Sequence, residues 1–146
     1  MRDQNREAAR VWFEQAADDL RLAAHVAQGG FHADACFHCQ QAAEKALKAV
    51  LYARRRRAIT THATQNLVDE AARHYPGLAQ LAPACRHLDL YYATTRYPNA
   101  IGGASPCRSF DADQSAAAIA DAKAVIVAVA EALDFESPEA GENSTD

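Results

Sequence analysis

The chain has 146 residues, with 15 lysines and arginines against 19 acids for a formal net charge of -4. That length makes one domain with one core, and the charge excludes a uniformly basic packager of nucleic acid. The charge is unevenly spread. Residues 134–146 hold five acids (Asp134, Glu136, Glu139, Glu142, Asp146) and no base, and without them 15 bases face 14 acids. Between Ala35 and Val68, six bases (Lys45, Lys48, Arg54, Arg55, Arg56, Arg57) face Glu44 alone.

Thirty-five residues are alanine, the strongest helix former, and β-branched residues are scarce. An all-α domain follows, with alanine-rich seams that let helices approach closely. The opening MRDQNREAAR has no apolar run that could act as a signal peptide. No stretch approaches the roughly 18–20 apolar residues of a membrane span. Four cysteines without a secretory signal read as reduced thiols. The expected setting is cytoplasmic, with no membrane contact.

In chain order, Phe13, Ala16, Leu20, Ala23 and Ala27 recur at helical spacing and stop at Gly29-Gly30. The second segment has two stripes, Cys36, Cys39, Ala43, Ala46 and Val50, and Phe37, Gln40, Glu44, Leu47 and Leu51. A helix lined on two sides belongs in the middle of a bundle. A short third helix runs from about Thr64 to Tyr75, with Leu67, Ala71 and His74 on its inner side, and Pro76-Gly77 closes it. The fourth carries Leu78, Leu81, Cys85, Leu88, Tyr92 and Thr95 and ends before Pro98. Residues 98–111 read as a loop. Asp111 or Asp113 then caps a last helix with Ile119, Ala122, Ile126, Val129 and Leu133 on its seam. The prediction is an up-and-down bundle of four long helices plus one short one over residues 1–135. An acidic tail, 136–146, has too little apolar surface to fold.

Three clusters can carry chemistry. Gln40 and Glu44 lie on an otherwise apolar stripe, so either they join Gln41, Lys45 and Lys48 in a surface network of i,i+4 pairs or they form a half-buried polar site. Asp89, Tyr92 and Arg96 share a face at i, i+3 and i+7, which suits an Asp89–Arg96 contact or an arginine that holds phosphate between stacking tyrosines. Arg54 to Arg57 end the second helix and suit either its dipole or an RNA backbone. His32, Cys36 and Cys39 share a face, but the first and last lie too far apart on one straight helix to share a zinc ion. Core thiols explain them better, and no metal or cofactor is expected.

The stretches DLRLAAHVAQGGFHADACFHCQQAAEKALKAVL, TTHATQNL and LYYATTRYPNA, in that order, resemble the bacterial HEPN domain family, in particular its members with an Arg-Tyr-Pro end. The resemblance implies a helical bundle that usually dimerises. It also implies an association with nucleotide or RNA binding and frequent pairing with a minimal nucleotidyltransferase, as in toxin–antitoxin systems. Residues matching the family's landmarks are Gln40, Gln41, Glu44, Lys45 and Lys48, His62, and Tyr92, Arg96, Tyr97 and Pro98. Ribonuclease members carry an arginine and a histidine four to six residues apart near the start of the last long helix. Here the last histidine is His87, so that motif is missing. Arg57 and His62 have a compatible gap in a different region, and we read that match as coincidental. The expectation is a domain, paired with a nucleotidyltransferase, that binds nucleotide or RNA through Lys45, Lys48, Arg54, Arg55, Arg56, Arg57, Tyr92, Arg96 and Tyr97. The alternatives are a metal-independent ribonuclease drawing on His62, Arg96 and Arg57, or a purely structural dimeric partner.

Overall fold

The computed structural model describes residues 3–54 and 59–138. Among them the chain forms helices and no strand: α1 (Asp3–Gln28), α2 (His32–Ala53), α3 (Thr64–Ala72), α4 (Ala82–Asp89), α5 (Tyr91–Thr94), α6 (Pro106–Ser109) and α7 (Ala112–Leu133). Single 3-10 segments lie at Pro76–Leu81 and Pro98–Ile101. None of the described helices is long and apolar enough to cross a membrane.

α2 occupies the centre, packed along α1 and α7 and touched by α3, α4, α5 and α6. Its two stripes require this: 15 of its 22 residues are buried, and seven of those are alanines that bring the neighbouring backbones close. Leu47 and Leu51, fully buried at the core of that packing, each stabilise the fold by about 1.5–3 kcal/mol. α1 ends where expected. Gly30 turns at φ +86°, a conformation costly for any residue with a Cβ, and Phe31 N–H returns to Val26 O at 3.0 Å. Of the two expected caps for α7, the chain uses Asp111. Its carboxylate accepts from Gln114 N–H while the Gln114 side chain accepts from Asp111 N–H, both at 2.9 Å.

The fourth long helix is not continuous. Pro83 has no N–H to give to Ala79, so Pro76–Leu81 tightens into 3-10 geometry and α4 begins afresh with the proline in its first turn. A second break falls at Leu90, whose N–H reaches His87 O at 3.3 Å. The seam survives both breaks: Leu78, Leu81, Cys85, Leu88 and Thr95 are buried. α3 stops at Ala72, which leaves His74 exposed instead of on the inner side. The loop before α7 also holds the short α6 and a 3-10 turn. Arg55, Arg56 and Arg57 and residues 139–146 of the expected acidic tail lie outside the described residues.

Candidate functional site

The site grows from the polar half of the second stripe. Gln40 is fully buried and Glu44 is 4% exposed, so the half-buried polar site is the arrangement adopted. A buried carboxylate needs compensation, and Glu44 has it on both oxygens. Oε2 meets Lys48 Nζ at 3.2 Å and Oε1 meets His62 Nδ1 at 3.1 Å. Gln40 Nε2 donates to His62 O at 3.0 Å, so the histidine is held by both backbone and ring. Gln41 Nε2 donates to Gln40 Oε1 at 2.8 Å, which orients that amide. Lys45, expected to pair with Gln41, instead reaches across to Asp19 on α1. Lys45 and Lys48, expected to contact the ligand, are instead partners of internal carboxylates, because Asp19 and Glu44 need their charges compensated.

His62 itself is 56% exposed on its side chain, and its ring stacks on Tyr92 with centroids 5.6 Å apart and planes 13° from parallel. On the same tyrosine rests Arg96, its guanidinium carbon 4.7 Å from the ring centroid, 4.3 Å from that of Phe37 and 4.9 Å from that of Tyr97. Nε donates to Tyr92 O at 2.8 Å, and Nη2 donates to the same carbonyl. Three rings and a helix-end carbonyl thus fix the orientation of the guanidinium. Among the described residues no carboxylate pairs with it.

Asp89 does not meet Arg96. The break at Leu90 separates them, and Asp89 turns to the start of α3, which has no side-chain cap of its own. There it accepts from the N–H groups of Thr64 and Gln65 at 2.9 and 3.0 Å and lies 2.7 Å from Thr64 Oγ1. A carboxylate supplied from another helix satisfies the free donors and complements the dipole. Because His62 lies two residues before Thr64, Asp89 also fixes the linker that carries it. Among the described residues no buried side-chain nitrogen or oxygen lacks a hydrogen-bond partner.

The structure thus brings Gln40, Gln41, Glu44, Lys48, His62, Asp89, Tyr92, Arg96 and Tyr97 to one region. Arg54 is exposed at the C-terminal end of α2. Phe37, Thr64, Trp12 and Tyr52 complete the surroundings and were not singled out as site residues. Trp12 and Tyr52 stack on each other at 5.2 Å, and Lys48 Nζ lies 5.6 Å from the Trp12 ring centroid. A signal for Tyr52 was present: it lies four residues beyond Lys48 on the same side of α2.

The histidine and cysteines considered for zinc have other roles. His32 Nδ1 is 2.9 Å from Ser115 Oγ, and Cys36 and Cys39 are fully buried. Among the described residues no group of three or more potential ligands could hold a metal ion. Burial pushes the thiols of Cys36 and Cys85 up to about 11 and that of Cys39 higher still. Cys107 is exposed.

The chain is similar to two proteins of known structure. One is TT1696 from Thermus thermophilus, at 35% identity over 84% of this chain and 96% of that one, with a TM-score of 0.79. The other is ST0689, an archaeal HEPN homologue, at 26% identity over 86% and 97%, with a TM-score of 0.71. No curated protein matches. The HEPN domain pattern matches residues 9–133, from the first turns of α1 to the end of α7. The chain belongs to the HEPN domain family.

Proposed function

We propose that this HEPN domain binds a nucleotide or RNA through a phosphate seated on Arg96. It does so as a homodimer forming one half of a toxin–antitoxin-like pair with a minimal nucleotidyltransferase. The observation that carries the binding is the state of Arg96. The residue is partly exposed, and its guanidinium is oriented by Phe37, Tyr92, Tyr97 and the Tyr92 carbonyl, with no carboxylate paired to it among the described residues. A fixed, un-neutralised guanidinium beside aromatic faces suits a phosphate with an attached base. Calorimetric titration with nucleotides and short RNAs tests this. Arg96→Ala should weaken binding at least about tenfold, and added salt should weaken binding to the unchanged chain. An Arg96→Ala variant that binds as tightly as the parent overturns the proposal. The pairing is tested by co-expression with a minimal nucleotidyltransferase from the same genome, where joint purification is expected and separate elution overturns it, and the dimer by sedimentation.

The Glu44–His62 hydrogen bond favours a second reading, metal-independent RNA cleavage. A carboxylate on Nδ1 orients the imidazole so that Nε2 can exchange a proton with the 2′-hydroxyl or the leaving oxygen, while Arg96 stabilises the phosphorane. Cleavage in the presence of a chelator, lost in a folded His62→Ala variant, would support it. Activity that survives in that variant would end it.

A further inference from the structure

One side of α2 carries Phe37, Gln40, Glu44, Lys48 and Tyr52, spaced by three and four residues. Over its first half sit Arg96, on Phe37, and the His62–Tyr92 stack, anchored by Gln40 and Glu44. Over its second half sits Trp12 of α1, stacked on Tyr52 at 5.2 Å with planes 12° from parallel. Glu44 and Tyr52 are eight residues apart, about 12 Å along the axis. From one end to the other the order is cation, stacked rings, buried ion pair, stacked rings.

We infer that the Trp12–Tyr52 pair is a second base-stacking subsite, and that the ligand is a single-stranded RNA of several nucleotides. The inference rests on the phosphate site at Arg96 proposed above. One base can lie on one of the two stacks and not on both, so only a chain with at least two bases uses the whole surface. Both Trp12 and Tyr52 are partly exposed, and Trp12 also packs against the core. A fixed guanidinium followed by two aromatic stacks suits a single strand, because every base has a face to stack and a phosphate brings a charge to neutralise.

Trp12 is the chain's single tryptophan, so its fluorescence reports this subsite directly. The full chain is titrated with an eight-residue oligouridylate and with uridine monophosphate. The oligomer should bind at least about tenfold more tightly and quench Trp12 emission. The mononucleotide should compete for the Arg96 site without changing that emission. Tyr52→Ala should weaken oligomer binding about tenfold, the effect of losing one stacked base, and leave mononucleotide binding unchanged. Equal affinity for the two ligands overturns the inference. So does unchanged Trp12 emission at saturation with the oligomer, or a folded Tyr52→Ala variant that binds the oligomer as the parent does. If that variant fails to fold, the emission of the unmutated chain decides. If neither ligand binds the unmutated chain, the phosphate site at Arg96 falls and takes the second subsite with it.

Discussion

Glu44 and Lys45 are neighbours on α2, and each belongs to a buried ion pair of a different kind. Lys45 meets Asp19 of α1 at 2.5 Å, and Gln15, one turn earlier on α1, donates to the other Asp19 oxygen at 3.0 Å. Every partner sits on α1 or α2, and the pair works as a cross-link between two helices. Glu44 gives one oxygen to Lys48, 6% exposed on its side chain, and the other to His62, 56% exposed. Its second hydrogen bond therefore orients a side chain at the surface. The chemistry of the two pairs is nearly the same. What separates a strut from a site is whether the carboxylate holds only side chains of the packed helices or a half-exposed histidine of the linker.

The cysteines show the same contrast, and raising the pH tests it with the largest expected effect. Cys36, Cys39 and Cys85 are internal, with thiols held protonated by burial. Their folded values lie above the ordinary thiol value near 9. Their contribution to stability is complete below that pH and is lost as pH rises through about 11, because unfolded thiols ionise first. Urea unfolding should show stability falling continuously between pH 9 and 11. At pH 8, maleimide should label only Cys107 in the folded chain and all four cysteines after unfolding.

Breaking the closed pair comes next. Asp19→Ala leaves Lys45 without its counter-charge and should cost about 3 kcal/mol in urea unfolding, with ligand affinity unchanged under conditions where the variant is folded. Glu44→Gln should cost a similar amount and also impair whatever activity depends on His62, since it removes the charge shared by Lys48 and the imidazole. If the two variants lose stability and function in the same proportion, the distinction between strut and site fails. Arg96→Ala should do the reverse of Asp19→Ala, lowering phosphate affinity at least about tenfold while costing about 1 kcal/mol of stability or less, as expected of partly exposed contacts. His62→Ala should also cost little stability: it gives up one hydrogen bond from a half-exposed ring, roughly 0.5–1.5 kcal/mol, and a larger loss by thermal unfolding would place His62 among the structural residues.

The seams of α1, α2 and α7 were legible because helical periodicity is local: each apolar residue is three or four positions from the next, whatever the rest of the chain does. Gly29-Gly30, Pro76, Pro98 and the cap at Asp111 were legible for the same reason, since turn and cap chemistry acts over a few residues. The two stripes of α2 even placed that helix at the centre. The interruption at Pro83 was missed because its neighbours Leu81, Cys85 and Leu88 keep helical spacing, and a proline is tolerated in a first turn.

The candidate site was legible as a set of residues but not as an arrangement. Periodicity paired Glu44 with Lys48, and that contact forms; it also brought Asp89 and Arg96 together and paired Gln41 with Lys45, and the folded chain made neither contact. Asp89 caps α3, Lys45 crosses to Asp19, and His62 comes to Glu44 from a linker outside any helix. Such contacts join residues 18 to 26 positions apart. They depend on how loops close and on which buried charges must be neutralised, and no local repeat encodes either. Composition and spacing therefore determine the helices, their buried faces and most of their ends. Which carboxylate stays closed and which one holds a histidine at the surface is decided only when the helices pack.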